Sequence, residues 1–552
     1  MSISLSISPG TLGDAWVRRL RHMESSHFAP RLMARDGTLW SNDHSVQEFI
    51  AHMMGWVVSP SSMRPQVTEL QEFVKDANLE WARSAVLCGM GGSSLGPMVL
   101  AETFASSQGI DFRVLDSTDP ATVSRLLDAS PPEETLYLIA SKSGTTAEPN
   151  AFLAAAYGIV RGKVGDVAGR HFVAITDPGT KMVEIARELQ FRHTFLNDPE
   201  IGGRYSVLSY FGLVPAALIG VDLDAFLASA IEAEDAHHDP GADGYALGAL
   251  IGEAALAGAD KLSIFTAPPF RTLGLWLEQL VAESTGKQGT GIVPVPEEFA
   301  PLERFGPDRQ FVFTTLRDDD RFDAFRGQME AIGRPTVAIR LETPEDLGSA
   351  FYTWMVATAT AGAILGINPF DQPNVQEAKD ATVRVLQMVK DRGELPSTMP
   401  TEVHGDVRLD GPSLDEFLAR IRPGHYLAIL AFLDSDDAAD LVLESLRTAL
   451  WEKTGVATTR GFGPRYLHST GQMHKGGPDT GHFLLVTGGN TDRPIPGEGY
   501  GFRTFERAQA LGDLEALRAH GRNVLHVDLG GEPHLGIVHL RGMIAKSSVR
   551  PH

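Results

Sequence analysis

The chain has 552 residues, 70 of them acidic and 48 basic, for a formal charge of -22; at about 100–200 residues per domain this length implies about three to four domains, and the acidic balance argues against a general binder of nucleic acid or of an anionic membrane. With 43% apolar and 21% charged residues the composition is that of a globular protein, and one cysteine, Cys88, permits neither an internal disulfide nor a cysteine-based zinc knot, so a reducing cytoplasm is the default. No basic region followed by an apolar stretch opens the chain, and no run of about 18 apolar residues occurs in it, so secretion and membrane spanning are not expected.

Residues 1–67 read as a helical segment. From Thr68 short apolar runs alternate with amphipathic stretches, the pattern of βα units on a parallel sheet. Strands are expected at Ser84 to Gly92, Phe112 to Ser117, Thr135 to Gly144 and His171 to Gly179, each ending in Gly, Ser or Asp. A second block carries strand candidates at Lys261 to Pro269, Gln310 to Arg317 and Pro335 to Glu342, after a turn-rich patch at His237 to Gly244. Pro, Gly and short polar residues replace the periodic pattern between Arg392 and Ser413, which reads as a linker or a β-hairpin insertion. Beyond it, Gly424 to Leu433, His482 to Gly489 and Asn523 to Gly530 again look like strands. The expected architecture is α/β with parallel sheets, in units spanning 68–225, 226–391 and 392–552.

Ligands bind outside the carboxyl ends of strands in open α/β sheets, so the polar strand ends are where chemistry is sought. GMGGSSLG, Gly89 to Gly96, lies between a strand and a helix. Gly92 and Ser93 there could let the backbone approach an anion, or the glycines could serve only to turn the chain. SKSGTTAEP, Ser141 to Pro149, is more specific. Four hydroxyls (Ser141, Ser143, Thr145, Thr146), the Lys142 ammonium and a glycine sit at another strand end, before a helix whose dipole favours negative charge. A cap needs one hydroxyl; four suggest a phosphate cradle. An echo links ESTGK, Glu283 to Lys287, with HSTGQ, His468 to Gln472, but three shared residues are too few to establish a repeat.

The order of GMGGSSLGP and SKSGTT resembles the sugar isomerase fold and, within it, the glucose-6-phosphate isomerase family. Gly202 to Leu213, Leu280 to Gly289 and Ile367 to Lys379 are similar, in turn, to that family's arginine segment, glutamate segment and lysine signature. The resemblance implies two flavodoxin-like sugar isomerase domains with the active site between them. It also implies an isomerase of glycolysis and gluconeogenesis that takes a sugar phosphate, uses neither metal nor other cofactor, and could form a homodimer. By resemblance Glu283 is the general base, at the end of a helix read as stopping at Gly286, where the dipole would raise a carboxyl pKa. Arg204 would stabilise an enediolate or, alternatively, pair Asp198 or Glu200. Lys379 would act on the ring-opening side, although the residues alone read as a solvated helix face.

Three departures stand out. Ser94 stands where an Asp is common, Asn374 and Gln376 stand where the family pattern has Gly and Glu, and no histidine occurs from Asp239 to Val403, where the family carries a catalytic one. Arg460 to His482 resembles the C-terminal part of the isomerase half in transaldolase/glucose-6-phosphate isomerase fusion proteins, and its His468, His474 and Lys475 form either a polar cluster facing a cleft or an ordinary hydrogen-bonded loop. His468 and His474 are therefore the candidates for the ring-opening acid, and their spacing fits no standard zinc motif. Two other functions fit the sequence: an enzyme that also accepts mannose 6-phosphate, and a catalytically silent sugar-phosphate sensor.

Overall fold

The computed structural model describes residues 3–78, 81–105, 109–298, 300–396 and 399–549. The chain opens with strand β1 (Ile3–Ser8) and a run of short helices. A first sheet follows: β2 (Ser84–Gly89), β3 (Asp111–Leu115), β4 (Thr135–Ala140), β5 (Phe172–Thr176) and β6 (His193–Leu196), all parallel, in the order β3-β2-β4-β5-β6. Its central strands are buried throughout, as sequence runs such as SAVLCG and TLYLIA require. Successive side chains on a strand point to opposite faces. Ala85, Leu87, Leu136 and Leu138 accordingly enter one core, while Val86, Cys88, Tyr137 and Ile139 enter the other.

The second sheet is built from β7 (Lys261–Thr266), β8 (Val293–Pro296), β9 (Arg309–Leu316) and β10 (Thr336–Leu341), in the order β1-β10-β9-β7-β8. Here the helical reading of residues 1–67 needs correction at its start. β1 pairs antiparallel with β10 from Ile3 opposite Leu341 to Ser8 opposite Thr336. ISLSIS alternates apolar and hydroxyl side chains, the period of a half-buried strand, and helix begins only with Gly13–Ser25.

The third sheet holds β11 (Glu402–His404), β12 (Val407–Asp410), β13 (Tyr426–Phe432), β14 (Ala457–Phe462), β15 (Gly481–Thr487) and β16 (Asn523–Asp528), in the order β11-β12-β16-β15-β13-β14. Of the two readings of 392–413, a hairpin is what forms: β11 and β12 pair antiparallel and extend the sheet through β16. Ser397 and Thr398 of that stretch lie outside the described residues. The molecule is thus mixed α/β with three mainly parallel sheets. The polar turns after β2 and β4, the π-turn before β8 and the loop after β14 converge.

Candidate active site

Close backbone approach explains the glycines after β2. Gly91 has φ +56°, and a Cβ there would lie 2.9 Å from both the His468 carbonyl oxygen and Gln279 Nε2. A Cβ on Gly92 would lie 1.9 Å from the Gly203 carbonyl oxygen. Gly92 therefore supports the turn Gly203–Tyr205 that presents Arg204, and buried Ser93 follows it.

After β4, SKSGTT leads into the helix Ala147–Val164, with Thr146 at its N-cap position. Gly144 is needed for its φ of +66°, and it donates its N–H to Ser141 Oγ at 3.2 Å. Ser143 and Thr145 are exposed and bonded to each other at 2.9 Å, with half-buried Thr146 beside them at the helix start. Their hydroxyls and the first helical N–H groups form one donor surface. The Lys142 ammonium departs from the expectation. It is committed to the Asp177 carboxylate and, at 2.9 Å, to the Pro199 carbonyl, so it turns away from the hydroxyls.

Glu283 ends a π-helical turn, Glu278–Glu283, that continues the short α-helix Leu273–Leu277. Such wide turns inside helices recur at functional sites because they re-aim side chains. Glu283 is 7% exposed. Its Oε1 lies 3.3 Å from Arg204 Nη1, and its Oε2 accepts from Gln279 Nε2 at 3.1 Å. Arg204 does not pair Asp198 or Glu200. It is 4% exposed and donates to Ser284 Oγ, Gln372 Oε1 and the carbonyls of Pro369 and Asp371 at 2.8–3.1 Å. The turn of the lysine signature thus fixes the guanidinium against the carboxylate. Lys287 reinforces this by donating to the Asp371 carbonyl at 2.6 Å and its carboxylate at 2.8 Å. Burial foremost, and then the Arg204 charge, bring the Lys287 ammonium down to about 8.

The loop after β14 delivers His468. Its carbonyl accepts from Gln279 Nε2 at 2.8 Å, so one amide nitrogen joins the histidine's backbone to the Glu283 carboxylate. Its imidazole Nε2 lies 2.9 Å from Glu148 Oε1, which also accepts from Gln509 Nε2 at 2.8 Å. Burial is the largest influence on Glu148 and works to raise its pKa, but the His468 ring, helped by the Lys379 charge, holds the carboxyl below its ordinary value. Lys379 itself is exposed on helix Val375–Arg392. The two STG segments meet here: Gln472 Nε2 donates to the Gly286 carbonyl at 3.0 Å, and Met473 packs against Gly286.

His474 does not join this group. It is 3% exposed among the rings of Tyr426, Tyr466 and Phe483, and Nδ1 has no partner. Burial, with the Lys475 and Arg522 charges, holds its pKa well below the ordinary histidine value. Lys475 is likewise internal, bonded to Asp513 at 2.7 Å. His468 and His474 are six apart in a chain that bends into a short helix, Gly471–Gly476, which turns the second ring inward. The reading from sequence missed Glu148, Gln279, Lys287 and Gln372. Gln279 had a signal, since i−4 from the base is the same helix face. Glu148 also had one, as a carboxylate in the first turn after the hydroxyl cluster.

A family model described as phosphoglucose isomerase matches residues 72–291. The glucose-6-phosphate isomerase of Rubrobacter xylanophilus is 30% identical over 413 residues, covering 65% of this chain and 93% of that protein. A glucose-6-phosphate isomerase of Thermus thermophilus is 38% identical over 183 residues, 33% of this chain and 43% of that one. Among solved structures, a hypothetical protein from Thermus thermophilus superposes with a TM-score of 0.58 at 25% identity, covering 69% of this chain and 99% of its own.

Proposed function

Because the chain belongs to the glucose-6-phosphate isomerase family, we propose that it interconverts glucose 6-phosphate and fructose 6-phosphate through an enediolate, with Glu283 carrying the proton between C2 and C1. The observation that carries this reading is the buried Glu283–Arg204 pair at 3.3 Å. A carboxylate beside a fixed guanidinium can take a carbon-bound proton while the cation faces the oxygen on which charge develops. A sensor of sugar phosphates would need the hydroxyl cradle but not this pair.

The remaining roles follow from position. Ser141, Ser143, Thr145 and Thr146, with the helix N-terminus at Ala147, would hold the phosphate, and Gly92 and Ser93 would close the cleft beside them. Ring opening moves a proton from the anomeric hydroxyl to the ring oxygen. His468, oriented through Nε2 by Glu148, is the proposed relay, with the Lys379 charge beside it. His468 comes from the third sheet's region, so that region completes the site from within the chain, in the manner expected for the isomerase half of a transaldolase/glucose-6-phosphate isomerase fusion. Cytoplasmic location and a homodimer belong to the same proposal, the second to be read by sedimentation. A coupled assay of the purified protein with both sugar phosphates tests the activity; absence of turnover in folded protein would reject the reading.

A further inference from the structure

Behind the active site, between the π-turn and the loop after β14, lies a cavity of about 390 Å³, a volume within the range of small-molecule sites. Glu283, Arg204, Glu148 and His468 are not among its lining residues. Its walls are continuous with them, because Glu278 opens the turn that ends in Glu283, and Ser469 and Thr470 follow His468.

Several polar groups face this space without a protein partner. Glu278 is 8% exposed and makes no hydrogen bond to any described residue. Burial pushes its carboxyl up to about 8 against the opposing charges of Arg460, Arg465 and Arg447. A buried carboxyl left without a hydrogen bond is costly, and such a group persists where something else satisfies it. Thr272 Oγ1 is buried and unpartnered. Arg271, at the exposed rim, makes no side-chain hydrogen bond or ion pair among the described residues.

The lining also says what would fit. Arg460 is occupied by Asp440 and Glu444, and Arg447 by Glu444 and the carbonyls of Pro296 and Glu297. The lining side chains without a hydrogen bond or ion pair among the described residues include the carboxyls of Glu278, Glu297 and Asp437, the hydroxyls of Thr459 and Thr470 and the Arg271 guanidinium, beside the rings of Phe462 and Tyr466. Five acidic side chains and four arginines line the cavity together, so neither a phosphate nor an amine meets a lining of one opposite sign. A sugar hydroxyl both donates and accepts, and its C–H faces pack on aromatic rings. We propose that this cavity binds a neutral polyhydroxyl ligand, an unphosphorylated hexose or polyol, separately from the isomerase site.

Calorimetric titration of the full chain with D-glucose and with sorbitol tests this without reference to turnover. Saturable binding is expected for at least one of them, weakened tenfold or more by Arg271→Ala and by Glu278→Leu and unchanged when an equilibrium mixture of glucose 6-phosphate and fructose 6-phosphate fills the isomerase site. Arg271 lies at the rim, so its variant keeps the test decisive if the Glu278 variant fails to fold. The proposal is overturned by the absence of saturable heat with both probes. It is equally overturned by binding that the sugar phosphates abolish and Arg271→Ala spares, or by a cavity that takes inorganic phosphate or spermidine and no sugar.

Discussion

The region built on the third sheet meets the first sheet through a row of side-chain ion pairs beside an apolar patch of Ile495, Phe502 and Phe505, and the second through a shared apolar core with Arg447 donating to the carbonyls of Pro296 and Glu297. Facing the first sheet, Arg465 grips Asp116 with two bonds of 2.7 Å, Arg503 reaches Asp119 at 3.0 Å, Arg493 reaches Asp128 at 2.8 Å, and Thr118 bonds Gln509 at 2.7 Å. Facing the second sheet, Ala282, Val293 and Val295 share one core with Tyr466, Met473 and Phe483. Apolar burial is non-directional and favours contact in many orientations. Bidentate ion pairs fix register and angle. The His468–Glu148 contact falls on the directional side of this pair of seams, where a histidine from one region can be held to a carboxylate of another.

The largest effect expected sharpens this contrast by leaving both seams intact. Glu283→Gln keeps the size of the side chain and can still accept from Gln279, but it has no basic oxygen for the proton. Turnover should fall by about 10³-fold with KM for sugar phosphate little changed. Steady-state kinetics on the purified variant decide, and near-normal turnover removes Glu283 from the mechanism.

Next comes the polar seam itself. Arg465→Ala leaves the Asp116 carboxylate, whose side chain is 2% exposed, without its counter-ion. Removing one partner of a buried pair costs about 3–5 kcal/mol. Denaturant unfolding should show that loss together with reduced turnover, since the same loop carries His468. Full stability in this variant would mean that the Arg465–Asp116 pair is not needed to hold the regions together.

How much of this could be read in advance depended on burial. Central strands such as β2, β4 and β13 are enclosed on both faces and announce themselves as continuous apolar runs. The four strands not foreseen, β1, β6, β8 and β14, all lie at sheet edges, where pairing on one side relaxes the pattern. VPVP in β8 even tolerates two prolines, which an edge permits. In the site, hydroxyl and glycine turns were legible because local backbone geometry dictates them. Contacts between distant segments were not: nothing in the chain says that Glu148 meets His468, 320 residues away, or that Lys142 is spent on Asp177.

A smaller effect separates ring opening from isomerisation. His468→Ala should slow cyclic glucose 6-phosphate by about 10²-fold, the low end of what a positioned general acid contributes. An acyclic substrate analogue should be spared, because Glu283 and Arg204 remain paired. Glu148→Gln should reproduce the split more weakly by releasing the imidazole from its orienting carboxylate. Equal losses on both substrates would mean that the imidazole anchors its loop on Glu148 rather than opening the ring.

The smallest effect on turnover tests the neighbouring histidine on the apolar side. His474 packs against Phe483 at 4.9 Å between ring centroids and leaves Nδ1 unpaired, so His474→Phe should leave kcat/KM unchanged. A buried polar atom without a partner costs about 1–3 kcal/mol, so the variant should gain stability of that order at neutral pH, less any strain from the altered ring. The gain should widen in acid. The folded state holds His474 neutral far below its ordinary range, whereas the unfolded chain takes up a proton near 6.5. Below that pH the unfolded state of the native chain binds the extra proton, and stability falls by about 1.4 kcal/mol per pH unit until the folded pKa is reached. The phenylalanine variant lacks this contribution, while every other titrating group is common to both chains. Urea unfolding at pH 7.5 and 5.5 should therefore show a larger gap between variant and native chain at the lower pH. A constant gap would mean that His474 is charged in the fold, and a tenfold loss of turnover would return it to the active site.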